Sequence, residues 1–158
     1  MKVSIICVGK IKEKFFTDAI GEYTKRMSRF AEFNIVEIPD ERIGDNASEK
    51  EKEQIKEREG EKILSKIDPR SYVISLCIEG KTLSSTELAK TVKDAYNTTN
   101  HITFIIGGSL GLSDTVKSKS ALKLSFGRMT LPHQLMRVVL SEQIYRSFMI
   151  NSGATYHK

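Results

Sequence analysis

Apolar positions along the chain follow two rhythms. Lys2–Val8, Phe33–Ile38, Ser71–Ile78, His101–Ile106 and Ala121–Phe126 are short, largely apolar runs closed by Gly, Pro or polar clusters. They predict strands, and the near-continuous ones predict strands covered on both faces. Between them the period lengthens. Lys12–Phe30 places Phe16, Ile20, Tyr23, Met27 and Phe30 on one side, with Lys and Glu on the other, which predicts an amphipathic helix. Ser84-Ser85-Thr86-Glu87 has the spacing of a capping box and predicts a helix running to about Tyr96. A short helix is expected after Ser113. Ser48–Lys62 holds eleven charged residues in fifteen. Its alternating Glu and Lys predict a solvated helix that docks only through Ile55, Ile63, Leu64 and Ile67. Glu79-Gly80-Lys81 predicts a turn.

The last helix breaks this pattern. The stretch Phe126–Arg146 starts as a loop bearing Gly127 and Pro132, with Pro132 at or near the first helical position. Leu135, Met136, Val138, Val139, Leu140, Ile144, Tyr145, Phe148 and Met149 then form an apolar band too wide for a surface helix. Yet this helix also carries His133, Arg137, Glu142 and Arg146, and charges on a buried helix need partners. The spacing puts Arg137 and Arg146 on opposite faces.

The element order βαβαβαβ(α)βα implies an α/β fold, a mainly parallel sheet with helices on both faces, formed by residues 1–158 as one domain. Ligands of such sheets bind beyond the carboxyl ends of the strands. Three loops there are candidates: 76–81, 107–111 and 127–132. Gly107-Gly108-Ser109-Leu110-Gly111 allows close backbone approach, but it matches neither a dinucleotide fingerprint nor a phosphate-binding Walker loop. Together with 127–132 it could wall a slot for a flat ligand such as an adenosine. His133, at a helix N-terminus, is expected to stay neutral. The terminal Tyr156-His157-Lys158 would ordinarily fray, but its aromatic and imidazole could stack on a base or close over a site.

Composition narrows the function. The chain has 158 residues, 39% hydrophobic and 28% charged, which fits a soluble globular protein. Its apolar opening reads as a strand rather than a signal peptide, and no run is long enough to span a bilayer, so a cytoplasmic location is expected. Cys7 and Cys77 fall in strands and read as buried free thiols. The histidines and cysteines show no metal spacing, so no metal is expected. Residues 101–158 hold seven Lys and Arg against two Asp and Glu, which accounts for the whole net charge of +5. That favours an anionic partner for this half, nucleic acid or phosphate.

IIGGSLGL at 105–112, LSFGRMTLPHQLMRVVLSEQIYRSFMI at 124–150, the terminal YHK and the early VGKIKEKFFTDAIGEYTKRM resemble the RlmH family. These are SPOUT-class methyltransferases that modify N3 of a pseudouridine in 23S ribosomal RNA. The resemblance implies an α/β SPOUT fold whose C-terminal segment is threaded into a trefoil knot. It implies S-adenosyl-L-methionine as cofactor, bound by Leu76, Gly108, Gly127, Arg128, Met129, Thr130, Leu131 and Pro132. It also implies a homodimer through the C-terminal helix, with 23S rRNA in the assembled ribosome as partner and no membrane. On this reading His133 or His157 accepts the N3 proton, Arg137 steadies the uracil-like oxygens, and Tyr156 and His157 close over the target from the partner subunit. The competing expectations are a SPOUT methyltransferase for another RNA, such as transfer RNA, a non-catalytic RNA-binding dimer, and a nucleotide-binding module unrelated to methylation.

Overall fold

A computed structural model describes residues 1–158. Its elements are β1 (Lys2–Val8), α1 (Lys14–Met27), β2 (Glu32–Ile38), α2 (Glu49–Leu64), β3 (Tyr72–Thr82), α3 (Ser85–Tyr96), β4 (His101–Ile106), α4 (Asp114–Lys119), β5 (Leu122–Ser125) and α5 (His133–Asn151). The five strands form one sheet in the order β2-β1-β4-β3-β5, and every pairing is parallel. The chain leaves β1 toward β2 on one side and leaves β4 toward β5, past β3, on the other. The order therefore reverses between β1 and β4, and a crevice forms there at the carboxyl ends.

The sheet is covered on both faces, as the apolar strands require. On one face α1, α3 and α5 enclose a cluster that includes Ile5, Phe104, Ile74, Leu140, Ile144 and Phe148. On the other, α2 and α4 close over Ile6, Val8, Ile63, Ile105 and Val116. Leu140 and Ile144 are fully buried, and each such side chain contributes roughly 1.5–3 kcal/mol by leaving water. The capping box of α3 is present: Ser84 Oγ accepts from Glu87 N–H, and the Glu87 carboxylate accepts from Ser84 N–H. The same reciprocal pair joins Ser48 and Glu51 at the start of α2.

Three expectations need correction. The turn placed at Glu79-Gly80-Lys81 lies inside β3. Leu76 and Lys81 both pair with Leu124, so residues 77–80 arch out of the ladder and the strand then resumes. This arch leaves Cys77 half-exposed rather than buried. The charged helix α2 docks through Ile55 and Ile63 as expected, but not through apolar residues alone, since Glu59 and Gly60 are buried with them. A Cβ on Gly60 would stand 2.5 Å from Ser113 Oγ, so this glycine lets α2 lie close to the start of α4. Pro132 stands near the first helical position as expected: it is the N-cap of α5, with ψ 136°, and His133 is the first helical residue.

The charges on α5 are paired within the chain. Arg137 is fully buried. Its guanidinium donates to Glu37 Oε2 at 2.9 Å, Val8 O at 3.0 Å and Gly9 O at 2.8 Å. Arg146 donates to Glu142 Oε1 at 2.6 Å. The half-exposed side of α5 carries Leu135, Val138, Val139, Glu142, Gln143 and Arg146, with Gln143 accepting from Ser85 Oγ of α3 at 2.8 Å.

Candidate active site

The arch of β3, the turn after β4 and the loop after β5 surround a cavity of about 420 Å³. Each wall has a local cause. After β4 the chain reverses sharply, with Gly111 N–H donating to Gly108 O at 3.0 Å. A Cβ on Gly107 would stand 2.8 Å from the Gly111 carbonyl carbon, so no larger residue fits without opening the turn. After β5, Ser125 Oγ accepts from Gly127 N–H at 3.1 Å and turns the chain across the strand ends. The third wall is main chain of the arch, freed from the ladder by the register shift and braced by the Lys117–Glu79 ion pair.

Leu76, Gly108, Gly127, Met129, Thr130, Leu131 and His133 all line this cavity. Arg128 and Pro132 do not; their loop contributes through its other members. Cys77, Ile78 and Glu79 of the arch, and Met136 one turn into α5, line it as well. No local pattern marks the arch, because its residues read as an ordinary turn.

A second cavity of about 270 Å³ adjoins the first at the crevice between β1 and β4. Gly108, Ser109 and His133 line both cavities, and Val8, Asp40, Glu41, Arg42, Ile43 and Glu59 complete the second. Glu59 is 5% exposed. Its Oε2 accepts from Glu41 N–H at 3.1 Å, and its Oε1 has no hydrogen-bond partner within the chain. Burial raises its pKa, and the neighbouring Asp40 and Glu41 add to the rise. Sequence reading passed over Glu59 as one charge among many. The available signal was the glycine beside it, since a helix-disfavouring residue in a strongly helical run marks a close approach.

His133 and Arg137 are brought together, with Arg137 Nη2 3.4 Å from His133 Nδ1. A guanidinium only donates, but both Nη2 hydrogens already go to Val8 O and Gly9 O, so this contact does not set which ring nitrogen of His133 carries the proton. Burial, and then the Arg137 charge, lower the His133 pKa, with Asp40 opposing. Neutrality was expected from the helix terminus; burial and Arg137 supply it instead. The adjacent guanidinium thus disfavours a protonated His133 ring. Arg137 reaches neither cavity, because its fork is spent on Glu37 and two backbone carbonyls. It ties α5 to the ends of β1 and β2 rather than touching a ligand.

The tail lies elsewhere. The Tyr156 ring packs edge-on against Tyr145 with centroids 5.0 Å apart. Arg146 lies over it at 4.7 Å, and Tyr156 O–H donates to Glu142 Oε1 at 3.2 Å. Arg146 Nη1 also lies 3.2 Å from His157 Nδ1. Neither Tyr156 nor His157 lines either cavity of its own chain. No helix is long and apolar enough to cross a membrane, and no cluster of His, Cys, Asp and Glu could hold a metal ion.

Comparison with known proteins agrees with this architecture. A family described as "Predicted SPOUT methyltransferase" matches residues 1–157. The chain is 57% identical to the ribosomal RNA large subunit methyltransferase H of Lactobacillus acidophilus, with both chains covered in full. It is 56% identical to the protein of that name from Streptococcus uberis and 58% to that from Lactococcus lactis, again over the full length of both. Among solved structures, a methyltransferase of Legionella pneumophila in complex with SAM shares the fold at 11% identity and a TM-score of 0.53, over 94% of this chain and 66% of that one. The tRNA (m1G37) methyltransferase of Aquifex aeolicus does so at 13% identity and a TM-score of 0.52, over 92% of this chain and 70% of that one. The chain belongs to the SPOUT methyltransferase family, within the group of the ribosomal RNA large subunit methyltransferases H.

Proposed function

We propose that this chain transfers a methyl group from S-adenosyl-L-methionine to N3 of a pseudouridine in 23S ribosomal RNA, acting in the cytoplasm on the assembled ribosome. The observation that carries the reading is the main-chain slot at the ends of β3, β4 and β5, in a chain 55–58% identical to ribosomal RNA methyltransferases over their full length. The slot fits the cofactor. Leu76, Leu131 and Met136 offer apolar surface for a flat purine ring, and backbone groups of 77–80 and 107–111 can hydrogen-bond its edge. Gly107 gives the turn the close approach that such a cradle needs.

The cofactor supplies a methyl on a cationic sulfur, whose departure needs neither a metal nor an acid. The protein's task is alignment and removal of the N3 proton, and alignment alone can supply several kcal/mol of a barrier. His133 donates from its ring N–H to a carbonyl oxygen of the target base. Arg137 fixes that ring and the first turn of α5.

The half-exposed stripe of Leu135, Val138 and Val139 supports a homodimer through α5. Tyr156 and His157 of one subunit then close over the target held by the other. The threading of the C-terminal segment as a trefoil knot belongs to the same reading. It is supported by the return of the chain from the edge strand β5, across the strand ends, to contact Gly9 after β1. With no separate RNA-binding domain, affinity rests on a modest basic surface and falls as salt rises.

The test titrates S-adenosyl-L-methionine into the purified protein by calorimetry and then supplies ribosomes that lack the modification. Saturable binding with methyl transfer to one pseudouridine is expected. Binding with no transfer to ribosomes, or transfer to transfer RNA instead, overturns the substrate assignment.

A further inference from the structure

We infer that the second cavity receives the target base and that the Glu59 carboxylate is the general base that removes its N3 proton. The inference rests on the proposed methylation at N3 and names the group which that chemistry lacks. N3 of a uracil-like ring carries a proton and has no free electron pair to attack with until the proton is lost. His133 is a poor acceptor, because burial and the Arg137 guanidinium 3.4 Å from its Nδ1 disfavour the protonated ring. His157 packs against Arg146, away from both cavities of its own chain; carried over the target by the partner subunit it is the competing acceptor, to which a near wild-type rate in Glu59→Gln would point.

Glu59 meets the geometric requirements. Nine-tenths buried, it forms no ion pair, since the nearby Lys62 is taken by Glu41 at 3.0 Å. One carboxylate oxygen is anchored on the Glu41 N–H at 3.1 Å. The other is free and stands 3.6 Å from where a Cβ of Gly108 would lie, on the turn that also walls the cofactor slot. A base entering over Gly108 and Ser109 would thus have the slot on one side and Glu59 on the other. Its carbonyl could meet the His133 ring N–H in the same crevice.

The step balances without another reactant. The Glu59 carboxylate takes the N3 proton. The electron pair left on N3 forms the new bond to the methyl carbon, and the carbon–sulfur bond breaks with its pair passing to sulfur. Glu59 later yields its proton to water. Burial, with the flanking Asp40 and Glu41 charges, strengthens Glu59 as a base, against the hydrogen bond from the Glu41 N–H and the Lys62 charge. The other charged or titratable groups facing the cavity are Arg42 and His133.

The experiment compares the wild type with Glu59→Gln, which keeps an acceptor for the Glu41 N–H. Both are assayed on unmodified ribosomes from below to above neutral pH, and the Glu59 carboxyl carbon is followed by NMR in the cofactor-bound wild type. The rate in Glu59→Gln is expected to fall by more than about 100-fold with cofactor affinity unchanged. The residual rate should climb with hydroxide concentration. In the wild type the rate should rise with pH through the midpoint at which the carboxyl carbon titrates. A near wild-type rate in Glu59→Gln, or a kinetic midpoint that departs from the carboxyl titration, overturns the inference. If Glu59→Gln loses cofactor binding, Glu59→Asp is set against Glu59→Asn. A much faster Asp variant supports a base, and equal rates refute it. A wild type that transfers no methyl to pseudouridine would count against the proposed function itself. An active wild type matched by an equally active Gln variant would count against Glu59 alone.

Discussion

Replacing Arg137 with Met tests how α5 is fixed over the strand ends. Met keeps much of the aliphatic volume and removes every donor. Val8 O and Gly9 O, at 3.0 and 2.8 Å from Nη2, are then left without the guanidinium in a site where Arg137 itself has no exposure. Each buried acceptor stripped of its partner costs about 1–3 kcal/mol. Glu37 adds less, because its side chain is 37% exposed and water can replace the lost contact. The two acceptors together cost about 2–6 kcal/mol, spanning the range for removing one partner of a buried charge. For a chain of this size the middle of that range is a fall in melting temperature of roughly 10 °C. The assay is guanidinium chloride unfolding, with the midpoint lowered and the slope unchanged. Glu37→Gln is the control. It retains an oxygen for the Ile11 N–H, which donates to Glu37 Oε2 at 2.7 Å, and should cost only about 1 kcal/mol. If Arg137→Met costs less than about 1 kcal/mol, or no more than Glu37→Gln, the backbone contacts do not hold the helix and the reasoning fails.

Gly107→Ala should weaken S-adenosyl-L-methionine binding at least tenfold by calorimetry, because its Cβ meets main chain at 2.8 Å and the turn must open; unchanged affinity would show that the turn is not a wall of the slot. Deleting residues 156–158 should abolish methyl transfer while cofactor binding persists, and full activity would remove the tail from the site. The His133 ring should titrate by NMR below the usual histidine range and move up in Arg137→Met. For this depressed group the unfolded chain binds the proton first, so the related stability is complete above the unfolded pKa and is lost as pH falls through the folded one; a His133 midpoint at or above that of a free histidine would contradict this assignment of causes.

The strands and helices were legible because each carries its own period. The buried parallel strands lack polar alternation, and Ser84 with Glu87 marks the start of α3 by local spacing alone. What escaped depends on partners distant in sequence. Arg137 meets Glu37 a hundred residues away, so its burial could be posed as a question about charge but not answered. The arch at 77–80 exists only because β5 pairs twice with β3 across a slip in register, and no local pattern encodes a slip. Glu59 sits among residues of its own kind, and only the packing of α2 against α4 separates it from its solvated neighbours. In the slot, the glycine turn and the loop after β5 were readable as backbone features. The roles of Arg137 and Tyr156 were not, since each is set by what the folded chain places beside it.

The slot between the β3 arch and the turn after β4 is framed largely by main chain, and that shapes how it could be inhibited. On the proposed reading, backbone of 77–80 and 107–111 would meet an adenosine mimic and the cofactor alike, and a side-chain exchange there leaves those backbone groups in place. Escape would have to come through the turn itself, where Gly107 admits no Cβ without moving Gly111. Resistance at this position would therefore weaken the enzyme's grip on its own methyl donor.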